Sequence, residues 1–175
     1  MRRLVLVAVV AAIVGVAAGG VWAAVAEPAD WTVTERGLAM GEDAARELFG
    51  VVVAFMVVGL VASTLFGVVA GLVIRAGRFG GQATALVATG VLATGAGLLA
   101  WQLGQAWGPP DPAAVTGVGV GDLVPAELVV DTWAAFLVWP VGAFAGVFLV
   151  ALSARGTSAG DRGQDPVGQA DQVVG

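Results

Sequence analysis

A chain of 175 residues has the length of one ordinary soluble domain, yet 58 % of it is apolar and only 12 % charged, too little polar surface for a globule bathed in water. It has neither cysteine nor histidine, which removes disulfides, thiol nucleophiles, thiolate metal sites and the usual imidazole base or ligand. Thirteen carboxylates stand against eight arginines with no lysine, a net charge of -5, so no basic stripe is available for the phosphates of a nucleic acid.

Crossing about 30 Å of hydrocarbon takes about 20 apolar residues in a helix, because a backbone in lipid must satisfy its own hydrogen bonds. Four stretches free of charged side chains meet that length: residues 4–26, 48–74, 83–103 and 132–154. The fold class expected is an all-α membrane protein, a bundle of four transmembrane helices within residues 1–155. The first span also fits a secretory signal, since Arg2 and Arg3, an apolar run and Ala24-Val25-Ala26 ahead of Glu27 match the charged, apolar and cleavable regions of one. Its length and Trp22 close to the cleavage point favour a retained helix.

Between the first two spans, Trp31-Thr32-Val33-Thr34-Glu35 alternates and is rich in β-formers, which predicts a short strand; Gly41 to Glu47 reads as a helix start with carboxylates at its positive end. Spans two and three are joined by the short stretch from Arg75 to Gln82 and should form an antiparallel hairpin. After the third span Gly108-Pro109-Pro110-Asp111-Pro112 blocks helix continuation, and Val115 to Val124 is a second candidate for extended chain. Two paired strands would then form a small extracellular cap. Pro140, inside the fourth span, is expected to kink it. The segment 156–175, rich in Gly, Asp, Gln and Ser, has little to bury and reads as a disordered cytoplasmic tail.

Arginine placement predicts the orientation, because Lys and Arg beside short loops stay in the cytoplasm. With both termini inside, Arg2, Arg3, Arg75, Arg78, Arg155 and Arg162 are cytoplasmic and only Arg36 and Arg46 lie outside, among ten carboxylates. Trp22, Trp101, Trp107 and Trp133 then sit near the outer ends of their spans, the level at which indoles anchor a helix in the headgroups.

Helices in lipid associate by close approach, so small residues four apart mark contacts. Gly59, Ser63, Gly67 and Gly71 form such a ridge in span two, and Gly15 with Gly19, and Gly142 with Gly146, repeat it in spans one and four. No ionisable group lies inside a span, which weakens ion or proton transport; Thr84, Thr89 and Thr94 with Ser63 and Thr64 could line a polar path, though such hydroxyls more often bond their own helix. Gln102 and Gln105 could meet a lipid headgroup. Asp122, Glu127 and Asp131 lack EF-hand spacing, and Gly117 to Gly121 lacks the lysine and helix of a phosphate loop. No cofactor, metal or catalytic residue is expected, and the expected partners are the bilayer and a second copy or another membrane protein.

The order Gly20-Val21-Trp22, an acidic outer segment, a Gly-rich second helix, Leu98-Leu99-Ala100-Trp101-Gln102-Leu103-Gly104 before Gly108-Pro109, and Trp139-Pro140 resembles an actinobacterial family of small four-helix integral membrane proteins catalogued as a domain of unknown function. The likeness covers residues 1–155. It implies the plasma membrane of a Gram-positive, high-GC bacterium and a retained first helix, and brings no catalytic residues. The expected role is a non-enzymatic structural or accessory subunit of the cell envelope that associates through its glycine ridges; the alternative is a small-molecule or lipid transporter, or a subunit of one.

Overall fold

The structure, a computed structural model, describes residues 2–41, 44–77 and 81–160. Four long helices account for most of it: α1 (Arg2–Val25), α2 (Ala44–Arg75), α3 (Gln82–Trp107) and α4 (Val138–Gly160). All four contain stretches long and apolar enough to cross a membrane. At 32 residues α2 is about 48 Å long and overshoots a hydrocarbon core of about 30 Å. Glu47 in its first turn and Arg75 in its last complement the helix dipole at ends that emerge from the apolar stretch.

The side chains left uncovered on these helices are apolar. Ile13 on α1, Val57 and Leu65 on α2, Val87 and Val91 on α3, and Phe148 and Leu149 on α4 all face outward. A water-soluble bundle would place charges there, so these faces fit a lipid surround. The buried polar side chains among the described residues are Ser63 and Thr89 alone.

The helices pack in a ring in which α1 lies on α3, α3 on α4, α4 on α2 and α2 on α1. The short connection makes α2 and α3 antiparallel, as expected, but they are diagonal neighbours and touch sparingly. The small-residue ridges make the closest approaches in the ring. A methyl group at Gly67 would sit on the Ala143 carbonyl and 2.8 Å from Ala143 Cα, and one at Gly71 would lie 3.1 Å from Val150 Cβ. From the other side Gly142 faces Ser63, and Gly146 faces the backbone of Thr64 and Gly67. On the opposite flank Gly15 and Gly19 admit the Ala96 and Ala100 carbonyls, which an added Cβ would meet at 2.7 and 2.8 Å. The ridges of spans two and four therefore pack against each other, and that of span one against α3, all within one chain.

The chain between α1 and α2 forms a hairpin of β1 (Asp30–Thr34) and β2 (Gly37–Met40), pairing Trp31 with Met40 and Thr34 with Gly37. Its two-residue turn is closed by Thr34 Oγ1, which donates to the Gly37 carbonyl at 2.6 Å, and Gly37 takes φ 118°, which a side chain would resist. A third strand, β3 (Leu123–Pro125), pairs antiparallel with the other edge of β1, giving the order β2-β1-β3. The strand expected at Trp31 is present. The cap has three strands instead of two, because β1 pairs on both edges, and most of residues 115–124 is loop around a Gly119–Asp122 turn in which Asp122 Oδ2 accepts from Gly119 N at 2.7 Å.

Two boundaries differ from expectation. The fourth span opens with a 3-10 stretch, Trp133–Leu137, and α4 starts only at Val138, so Pro140 stands in the first turn of α4. There a missing N–H costs little, since the first helical donors have no partner within their own helix, and the expected mid-span kink becomes a change of helix type. At the other end α4 runs to Gly160, five residues into the expected tail; residues 161–175, with Arg162, lie outside the described residues, as do Arg78, Glu42 and Asp43.

Candidate functional site

Next to the cap the bundle is filled by aromatic rings. Phe55 meets Trp22 edge-on at 5.1 Å and lies 5.3 Å from Phe136 and 6.1 Å from Trp139, while Phe136 also touches Trp101 at 5.8 Å and Trp133 at 5.6 Å. Trp139 fits between two glycines: an added Cβ at Gly59 would lie 2.7 Å from its Nε1 and one at Gly97 2.7 Å from its Cγ. This ring occupies the space between α2 and α3 and accounts for their sparing contact. Sequence reading picked out neither Phe55 nor Phe136, because an aromatic in a greasy helix looks alike facing lipid or facing a neighbour.

Trp22 departs from its expected place as an interfacial anchor. It is 0 % exposed, its Nε1 donates to the Val51 carbonyl at 3.1 Å, and its ring rests on Gly104. A buried indole needs such an acceptor, and α2 supplies it. Trp101 is half-buried, and its Nε1, like that of Trp139, has no hydrogen-bond partner among the described residues. Trp107 and Trp133 are 53 % and 77 % exposed.

The hydroxyls considered for a polar path turn back onto backbone. Thr64 Oγ1 donates to the Leu60 carbonyl at 2.7 Å, Thr89 to Ala85 at 2.8 Å and Thr94 to Gly90 at 3.0 Å, while Ser63 reaches Leu60 at 3.3 Å and Val138 at 3.4 Å. Thr84 is exposed at the other end of α3. Gln105 also faces protein, donating from Nε2 to the Leu128 carbonyl at 3.0 Å and so tying α3 to the chain that precedes α4; Gln102 is exposed.

That chain builds the candidate site. From Val124 to Val130 burial alternates strictly, with Val124, Ala126, Leu128 and Val130 buried and the residues between them exposed. The period of two marks extended chain and sends Glu127, Val129 and then Asp131 to one side. Facing them, Leu48, Phe49, Val52 and Met56 form one stripe of α2, and Trp31, Leu38 and Met40 of the hairpin form the third wall. Together with Pro112, Ala113 and Ala134 they enclose a cavity of about 830 Å³ that is open on one side and lined mostly by apolar atoms.

The polar lining of this cavity is Asp111, Glu127, Asp131 and Thr132, and no arginine among the described residues contributes to it. Asp111 Oδ1 accepts from Ala113 N at 2.9 Å and Asp131 Oδ1 from Thr132 Oγ1 at 3.1 Å. The Glu127 carboxylate is without a hydrogen-bond or ion-pair partner among the described residues. Asp122, grouped with Glu127 and Asp131 in the sequence, is not part of the lining, and no cluster of three acidic residues able to hold a metal ion occurs among the described residues.

Comparison of the chain with protein-family models, with curated proteins and with solved structures found no match.

Proposed function

We propose that this chain is a non-enzymatic accessory protein of the plasma membrane that holds an apolar molecule at the outer end of its bundle. The observation that carries the reading is the mostly apolar cavity of about 830 Å³ under the cap, within the roughly 300–1,000 Å³ of small-molecule sites. In this reading both termini are cytoplasmic. That Arg2, Arg3, Arg75 and Arg155 stand toward the helix ends away from the cap, against Arg36 and Arg46 at the cap end, supports the orientation. We place the chain with the actinobacterial four-helix family whose Trp-Gln-Leu-Gly and Trp-Pro elements it resembles.

Association through the glycine ridges, the mechanism expected from the sequence, has lost its surface, because those ridges pack inside the chain. A transport path is not favoured either, since the hydroxyls of spans two and three are engaged by backbone carbonyls.

Two measurements test the reading. The chain lacks cysteine, so Val120→Cys, in an exposed part of the cap-end loop, introduces a single thiol. It should react with a membrane-impermeant maleimide in intact cells, and labelling only after permeabilisation would reverse the orientation. The second compares organic extracts of wild-type protein and Ala134→Trp, both purified in mild detergent. Ala134 is exposed at the cavity edge, so an indole there fills the cavity without entering the core. Wild type should retain an apolar compound that the variant lacks; equal extracts would remove the basis of the proposal.

A further inference from the structure

We infer that the cavity under the cap selects an amphiphile with a cationic head and a short apolar tail, drawn from the outer leaflet; this rests on the reading of that cavity as the binding site. The walls fix the tail. Leu48 and Met56 lie eight residues apart, about 12 Å of helix, and the stripe they bound is apolar throughout, so this wall offers no hydrogen bond to a polar group. The thioethers of Met40 and Met56 let this lining adapt to tails of different shape.

The rim fixes the head. Asp111, Glu127 and Asp131 share the lining with Trp31, whose indole adds an electron-rich face, and no arginine among the described residues lines the cavity. Arg46 stands two residues ahead of Leu48 on α2 and is not part of the lining. An anionic headgroup would meet three like charges beside a low-dielectric wall, where screening by water and salt is weakest. A cation meets the opposite field and a carboxylate, Glu127, that the described protein leaves unpaired.

The test uses the full chain in phosphatidylcholine nanodiscs and equilibrium binding, below their micellar concentrations, of two radiolabelled probes with the same tail: dodecyltrimethylammonium and the uncharged octaethylene glycol dodecyl ether. The cation should bind about ten times tighter or more, and the margin should shrink in 1 M salt. Glu127→Gln combined with Asp131→Asn, both exposed on the rim, should cut that margin to about a third or less, Asp111 and Trp31 being left in place, and leave the ether's affinity unchanged. Ala134→Trp, or Ala113→Trp on the opposite wall, should remove both.

Parity in wild-type protein, or a margin that the double substitution leaves undiminished, overturns the charge selectivity. Where that parity is still abolished by either tryptophan, the apolar site stands and only the cationic head is wrong. Where neither tryptophan changes binding of either probe, the site itself is wrong and the proposed function falls with it. Loss of binding on addition of a basic transmembrane peptide but not of the ammonium probe would assign the cavity to a protein partner and overturn the inference as well.

Discussion

A Gly67→Leu variant is expected to lose the folded bundle, not merely a partner. The position where leucine needs its Cβ is taken by the Ala143 carbonyl and lies 2.8 Å from Ala143 Cα, so the obstacle is backbone, which cannot move aside as a side-chain end does. Overpacking a core with side-chain relief costs about 1–3 kcal/mol, and without relief the cost exceeds that range. Helices α2 and α4 would have to separate along the face where Gly142 and Gly146 also admit α2. Gly95→Leu is the matched control. That glycine is also mid-helix, on α3, but an added Cβ meets nothing within 4 Å, and exchanging glycine for a better helix former there favours the helix by up to about 1 kcal/mol. Size-exclusion elution in mild detergent, followed by unfolding in rising SDS mole fraction, should show aggregation or early unfolding for Gly67→Leu and a wild-type profile for Gly95→Leu. A monodisperse, normally stable Gly67→Leu protein that has lost only an oligomeric form would show that the ridge faces another chain.

The same glycines show where sequence reading stops. That residues 59, 63, 67 and 71 form a contact face follows from helical spacing and from the need for close approach in lipid, and both are local facts. Which helix answers them is not local: the complementary pair Gly142 and Gly146 lies some 75 positions away, and nothing in either segment states that the contact is internal. The four spans were legible for a similar reason, since length and freedom from charge are properties of one segment at a time. Trp22 was misplaced by the reverse argument. Proximity to a helix end is what an interfacial anchor shows, but the acceptor that makes burial affordable for its indole is the Val51 carbonyl on another helix. Strand β2 escaped notice because Gly37-Leu38-Ala39-Met40 carries no polar alternation and is held by the turn at Glu35 and Arg36 and by its neighbour. The cavity walls come from four separate stretches; alternation marked the strand at Trp31, and Val124 to Val130 left a trace in four apolar side chains spaced two apart.

Phe55→Ala should be the most damaging truncation at the cap end. Phe55 is 1 % exposed and touches Trp22 of α1, Phe136 of the 3-10 stretch and Trp139 of α4, so one side chain joins three elements to α2. Removing a buried phenylalanine costs about 3–5 kcal/mol, the larger part of it from the space left behind when neighbours cannot collapse. Here collapse is opposed from two sides. Trp22 is held by its bond to Val51 and by Gly104, and Trp139 is wedged between Gly59 and Gly97. Val57→Ala, two residues on and lipid-facing, should change stability by no more than about 0.5 kcal/mol, because the lost methyl groups exchange one apolar surround for another. SDS unfolding followed by tryptophan emission reports the difference directly, since four of the six indoles border this cluster. The neighbouring Met56 lines the cavity, so a loosened cluster should also release the retained apolar compound from Phe55→Ala while Val57→Ala keeps it. A Phe55→Ala protein as stable as Val57→Ala would mean that the aromatic rings do not hold the cap end together, and the cavity they support would then have no rigid wall.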